Sequence, residues 1–228
     1  MRYSNVPVGQ IILLDIETVS REPDFTSLDQ FWQKLWIEKI QYQLADASQA
    51  AEWYVKRAAV MAEFGKIICI STGRMQGNRL RVKSFSGDDE TLILRQFTGF
   101  LQNLKPSDQP FYLAGHNIRE FDVPFIARRL LIQGLSIPAL LDVQQQKPWE
   151  SSLIDTFQLW RFGDYKNYTS LQLMAACLGI PSPKFDIDGS DVGRVYWQDH
   201  DLERIVRYCE RDVQTVARIL KQFRGEPA

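Results

Sequence analysis

Five residues in this 228-residue chain have side chains and spacings suited to chemistry: Asp15, Glu17, Asp122, Tyr208 and Asp212. Asp15 and Glu17 follow a short apolar run two positions apart. Side chains on a strand alternate between faces, so both carboxylates point the same way at the strand's end. Such a pair is a natural cation clamp, although acids at strand ends also occur in solvated turns. Asp122 stands two residues before Pro124, where the plain expectation is a helix N-cap that satisfies free backbone donors. Tyr208 and Asp212 are four residues apart, hence neighbours on one helix face, beside an apolar stripe of Leu202, Val206, Cys209, Val213, Val216 and Leu220. An ionised carboxylate at the margin of a buried face needs a partner, either Arg207 or Arg211 of the same helix or a bound cation. The combination favours the cation. Four acids from one strand, one helix start and one late helix can converge at a sheet edge and offer hard oxygen ligands to two Mg²⁺ or Mn²⁺ ions. Phosphodiester hydrolysis uses such a pair.

The elements that must position these acids read as strand–helix alternation. Gln10–Asp15 is a short apolar run of strand length, and Lys66–Arg74 is a second, rich in isoleucine. Arg79–Phe85 alternates apolar and polar residues after Gln76-Gly77-Asn78, which predicts an antiparallel hairpin with the second strand. Asp88–Leu104 has helical spacing, Phe111–Gly115 is a fourth strand, and Phe121–Gln133 is helical until Gly134. Ser152–Thr156 is a fifth strand, Ser170–Leu178 a helix closed by Gly179 and Pro181, and Asp199–Phe223 a long final helix. Pro181–Gly193 reads as a loop by its Pro, Gly and Asp content. The fold class is α/β, a mixed central sheet flanked by helices, within a single domain over residues 1–228. Residues 20–64 break the rhythm and read as a helical insertion after the first strand. Its aromatics Trp32, Trp36, Tyr42, Trp53 and Tyr54 could stack on bases, but aromatic residues at helical spacing are more often ordinary packing, and no function is assigned to them.

Composition narrows the function further. A chain that is 45% hydrophobic and 24% charged is neither disordered nor fibrous. With 27 basic against 28 acidic residues, nucleic-acid affinity cannot come from bulk positive charge and must be local. Arg128, Arg129, Lys166 and Lys184 are candidates for it. Three scattered cysteines and two histidines argue against a disulfide framework or a zinc site and fit a reducing cytosol. No signal peptide or bilayer-spanning run is recognisable, so a cytoplasmic, membrane-free protein is expected. Neither GxGxxG after the first strand nor a P-loop is present, which sets aside a nucleotide-cofactor enzyme.

The strings LLDIET, HNIREFD and YCERD, in this order and at this separation, resemble the three exonuclease motifs of the DEDD superfamily, whose fold is RNase H-like. The tyrosine four residues before the last acid resembles the DEDDy branch. EFGKIICIS, SLIDTFQLW, YTSLQLMAACLGIPSPK and DGSDVGRVYW look like the stand-alone bacterial exonucleases similar to the proofreading domain of B-family DNA polymerases. The likeness covers nearly the whole chain. It implies a 3′–5′ exonuclease that takes single-stranded nucleic acid, DNA in preference to RNA, from the 3′ end to nucleoside 5′-monophosphates. It also implies that Asp15, Glu17, Asp122 and Asp212 hold two divalent ions, with Asp15 bridging and Asp122 acting through water. Tyr208, neutral at pH 7, would orient the attacking water. Thr18, Asn117 and Phe121 match positions that touch the terminal nucleotide, Phe121 serving equally well as core. No polymerase or helicase region is recognisable, so a role in DNA repair calls for a polymerase or repair partner. Two rivals stand beside this reading. One is a non-catalytic nucleic-acid binding or interaction module with the same fold, disfavoured because all four acids and the tyrosine are present. The other is an RNase H-like endonuclease, which would not need Tyr208 four residues before Asp212.

Overall fold

The structure, a computed structural model, describes residues 3–43, 46–77, 79–104, 110–144, 146–147, 151–181 and 186–226. Strand β1 (Ile11–Ser20) is followed by helices α1 (Gln30–Ile40) and α2 (Ala50–Arg57), then by strands β2 (Gly65–Gln76) and β3 (Arg79–Ser86). Helix α3 (Glu90–Gln102), β4 (Tyr112–Gly115), α4 (Asp122–Ile132), β5 (Leu153–Asp155) and α5 (Thr156–Arg161) come next, and α6 (Leu171–Cys177), α7 (Val192–Trp197) and α8 (Leu202–Phe223) complete the chain. The five strands form one mixed sheet in the order β3-β2-β1-β4-β5. The β2–β3 hairpin pairs antiparallel with β1, while β4 and β5 run parallel to it. Gly77 turns the hairpin at φ 59°, and Asn78 lies outside the described residues.

β1 is the centre of the arrangement, and its alternation explains the layers. Ile12, Leu14 and Ile16 face one side, where they pack with Ile93 and Phe97 of α3 and Val123, Ile126 and Leu130 of α4. Ile11 and Leu13 face the other, against Val213, Val216 and Leu220 of α8. Further along that second face, Val19 packs with Val192 and Val195 of α7 and Ile205 of α8. Asp15 and Glu17 occupy the same face between these two apolar clusters, by the period-2 rule. Gly73 on β2 lets α8 approach: a Cβ there would meet Val213 Cγ1 at 2.6 Å.

Several sequence expectations shift. β1 does not stop at Asp15 but continues to Ser20, because β2 keeps pairing with it as far as Gly65, with a bulge between Glu17 and Thr18. The two acids therefore lie within a strand, not beyond its end. The buried stripe of α8 runs through Ile205, Cys209, Val213, Val216 and Leu220, while Leu202 and Val206 are only half-buried. Val192 and Gly193 begin α7 instead of closing a loop, and part of that segment, 182–185 with Lys184, lies outside the described residues. α5 and α7 are only six residues long, too short for two full turns of apolar periodicity to register.

The insertion is packed as expected at Trp36 and Tyr54, both fully buried, whose rings meet edge to face at 5.2 Å, with Phe64 5.0 Å from Trp36. Trp32 and Trp53 are partly buried against the same cluster. Tyr42 departs from the packing expectation and is 92% exposed.

Arg129 is not surface charge for nucleic acid. It is buried against Glu90, with Nε donating to Oε1 at 2.8 Å and Nη1 donating to the Ala62 carbonyl at 2.8 Å. Glu90 also accepts from Ile67 N–H at 2.8 Å and Gln133 Nε2 at 2.7 Å, so this network ties α3, α4 and β2 together. Removing one partner of such a pair strands a buried charge, at about 3–5 kcal/mol. Arg129→Met is expected to lower unfolding stability by that much in urea titration, and Glu90→Gln added to it to restore a large part. A loss below about 1 kcal/mol for Arg129→Met would show that the pair does not hold the layers.

Candidate active site

Asp15, buried on its carboxylate, and Glu17, 8% exposed, stand side by side on β1 beneath α8. The Cys209 thiol of α8 donates to Asp15 Oδ2 at 3.2 Å. One ligand atom from each of Asp15, Glu17 and Cys209 lies within 4.8 Å of the others. Asp122 approaches from the opposite layer. It is the first residue of α4, not its cap; Phe121 holds that position without a side-chain bond. The Asp122 carboxylate instead accepts the Ile16 N–H at 3.1 Å, which fixes α4 to the stretch of β1 between the two acids. Asp212 comes from α8, with Tyr208 one turn before it, and the Tyr208 hydroxyl donates to the Asp212 carboxylate. Arg207 pairs with Glu203 at 3.7 Å, so it is not the partner of Asp212.

Burial acts on all four acids, and repulsion from neighbouring carboxylates adds to it at Asp15, Glu17 and Asp122. Burial pushes Asp15 well above the usual carboxylate range, and the charges of Asp212 and Asp122 push it further. Glu17 is raised in the same way by burial and then by Asp15 and Asp212. Asp122 and Asp212 are each raised to about 7, again chiefly by burial. Crowded carboxylates that raise one another's pKa are a site made for a counter-charge. The donor set fits hard divalent ions, since it is carboxylate oxygen throughout. Cys209 does not alter that, because burial keeps it a thiol, a donor to Asp15 rather than a ligand. Tyr208 is pushed up by burial and by the nearby acids, so it stays a neutral phenol at any physiological pH.

Asp15 and Asp212 open on a cleft of about 530 Å³ lined also by Tyr208, His116, Tyr168 and Asp186 among others, while Glu17 and Asp122 are buried behind it. Three further residues were expected to meet the substrate. Thr18 is buried, and its hydroxyl donates to the Ala59 carbonyl at 2.8 Å, docking the insertion on β1. Phe121 is half-buried, packed on the core with its ring 5.5 Å from Phe125. Asn117 adopts a left-handed conformation at φ 60°, tolerated by Asn, and its buried side-chain Oδ1 has no hydrogen-bond partner in the protein.

One positioning residue escaped the sequence reading. Asp155, at the end of β5, is buried and accepts N–H bonds from Asn117 at 3.0 Å, Arg119 at 3.1 Å and Phe157 at 2.9 Å. It shapes the turn that delivers Asp122 and caps α5 at the same time. Its signal, an acid closing a short apolar run in SLIDT, was the same signal that singled out Asp15.

A sequence model for a family described as a predicted 3′–5′ exonuclease related to the exonuclease domain of PolB matches residues 60–220. The match includes Asp122, Tyr208 and Asp212, while Asp15 and Glu17 precede it and reach the site through β1. No curated protein matches the chain. The five-stranded mixed sheet with helices on both faces is the α/β architecture of an RNase H-like exonuclease fold. The chain belongs to this family of predicted 3′–5′ exonucleases related to the PolB exonuclease domain.

Proposed function

We propose that this protein is a metal-dependent 3′–5′ exonuclease that removes nucleoside 5′-monophosphates from the 3′ end of single-stranded nucleic acid, DNA in preference to RNA. The observation that supports the reading is a cleft lined by Asp15, Asp212 and a neutral Tyr208 bonded to Asp212, with the buried carboxylates of Glu17 and Asp122 close enough to act on Asp15. Those four carboxylates would hold two Mg²⁺ or Mn²⁺ ions, which when bound supply an activated water and stabilise the departing 3′ oxygen. Asp15, which feels the charges of Asp212 and Asp122 and acts on Glu17, would be the central ligand of the set. Tyr208 holds the attacking water in line through its hydroxyl and neither gives nor takes the proton. No helix among the described residues is long and apolar enough to cross a membrane, and we read the protein as cytoplasmic.

A strand labelled in its last internucleotide phosphate tests the reaction. The label is expected to leave as nucleoside 5′-monophosphate, faster from an unpaired than from a paired 3′ end. Release of oligonucleotides or of 3′-phosphorylated products would overturn the assignment in favour of an endonuclease. Tyr208→Phe loses one hydrogen bond of charge-assisted strength and no metal ligand, so its turnover is expected to fall roughly tenfold to a hundredfold. Single-turnover kinetics measures this, and a loss as deep as that of an acid variant would make Tyr208 more than a positioner.

A further inference from the structure

Resting on the exonuclease reading, we infer that Tyr168 and Tyr165 form a base-stacking track that leads out of the cleft and holds the nucleotides trailing the 3′ terminus. The rings and cations of this region form a continuous ladder. His116, in the cleft, is 5.7 Å from Phe157 and 6.4 Å from Tyr168. Phe157 and Tyr168 meet at 4.9 Å, Arg161 lies 4.0 Å over Phe157, and the same guanidinium is 5.6 Å from Tyr165. Phe157 is buried and His116 and Arg161 are half-buried, but the outer rings are open: Tyr168 is 65% and Tyr165 74% exposed. Exposed rings at the mouth of a nucleic-acid cleft have π faces to offer, and every base has one to receive.

The loop is built to present them. Phe162 and Gly163 are both left-handed, at φ 44° and 93°, and reverse the chain after α5. A phenylalanine in that conformation is strained, and at 92% exposure it gains nothing from burial in return. Asp164 then accepts from Lys166 N–H at 2.9 Å and Asn167 Nδ2 at 3.2 Å, and His116 Nε2 binds the Thr169 carbonyl at 2.9 Å, pinning the loop's end to the cleft.

Charge alone would serve this cleft poorly. Asp186, Asp188 and Asp191 line its far wall, where Arg204 meets Asp186 at 2.7 Å. Arg161 is bound to Glu120 at 3.4 Å, which leaves Lys166, between the two tyrosines, as the loop's exposed cation. A strand held by stacking with one such phosphate contact should bind with a shallow salt dependence, a log–log slope of about −0.7 for each contact.

The test compares wild type, Tyr165→Ala/Tyr168→Ala and Tyr165→Phe/Tyr168→Phe on 5′-fluorescent deoxyadenylate strands of two, four and eight nucleotides. Wild-type KM is expected to fall with length, and the alanine pair to raise KM on the octamer at least about fivefold for each stacked base lost, moving kcat little and erasing the length dependence. The phenylalanine pair keeps both rings and should behave as wild type. Unchanged length dependence in the alanine pair overturns the track, as does a phenylalanine pair as impaired as the alanine pair. Fluorescence anisotropy with the same strands separates the two layers of the argument. A wild type that binds but cuts none of them defeats the exonuclease reading, while weaker binding by the alanine pair still upholds the track.

Discussion

Asp15→Asn is expected to reduce cleavage at least about a thousandfold and, in the same protein freed of metal, to raise thermal stability. Both effects come from one arrangement. Asp15 faces the charges of Asp212 and Asp122 and is buried beneath α8, so its ionised form is costly unless a cation neutralises it. An amide of the same shape keeps the Cys209 contact available and removes the repulsion, which favours the metal-free fold. It also removes a carboxylate that would hold the metal ions, and with it several kcal/mol of the charge stabilisation they would supply at the reacting phosphate. Asp212→Asn should behave alike in activity. Differential scanning fluorimetry and single-turnover cleavage read the two effects together. Turnover within about tenfold of wild type in either variant would mean that the four acids are not the reacting centre.

Divalent ions should raise the melting temperature, and by more at pH 8 than at pH 5.5. Asp122 and Asp212 titrate at about 7 in the metal-free fold, against about 3.9 for an aspartate in an unfolded chain. The folded protein therefore binds more protons than the unfolded one across that window. Stability from these groups is fully present below pH ~4 and is lost as pH rises through about 7. A bound cation takes the place of those protons, most effectively where they have already left. At a hundred times its Kd a ligand adds about 2.7 kcal/mol, and a protein of this size shifts by about 2–4 °C per kcal/mol. Mn²⁺ or Mg²⁺ should thus add about 5–10 °C at pH 8, and chelator should return the protein to a melting point that declines from pH 5 to pH 8. Melting temperatures indifferent to both ions at pH 8 would contradict a metal centre here.

Much of the framework was legible because β1, β2, α3, α4 and α8 are long enough for their apolar periods to show. What the period could not give was the length of β1. Its last residues, Glu17-Thr18-Val19-Ser20, read as a polar exit from a strand, yet they are held in the sheet by β2 and covered by α7 and by the insertion through Thr18 and Ala59. Only tertiary contacts distinguish those cases. The same holds for Asp122, where local rules favour a cap and the long-range bond to Ile16 N–H, 106 residues away, wins instead. Arg129 reads as solvated charge beside Arg128, but helix phase puts it inward to Glu90, a partner with no local signature. Asp15 with Glu17, and Tyr208 with Asp212, stood out as pairs by their spacing, since a strand period and a helix turn fix each pair's placement, and it took the combination of all four acids to suggest a site. Cys209, which touches the site, carries no spacing rule of its own, and Asp155 closes an apolar run as Asp15 does but has no second acid two residues on to mark it.

The most direct measurement is digestion of a 5′-labelled single-stranded DNA and its RNA counterpart by the purified protein in Mg²⁺, in Mn²⁺ and in chelator, with Asp15→Asn beside it. The account predicts a ladder shortening one nucleotide at a time from the 3′ end, stronger on DNA, abolished by chelator and absent from the variant. Intact substrate under every condition, with binding retained, would contradict it and leave a nucleic-acid binding module on an exonuclease fold.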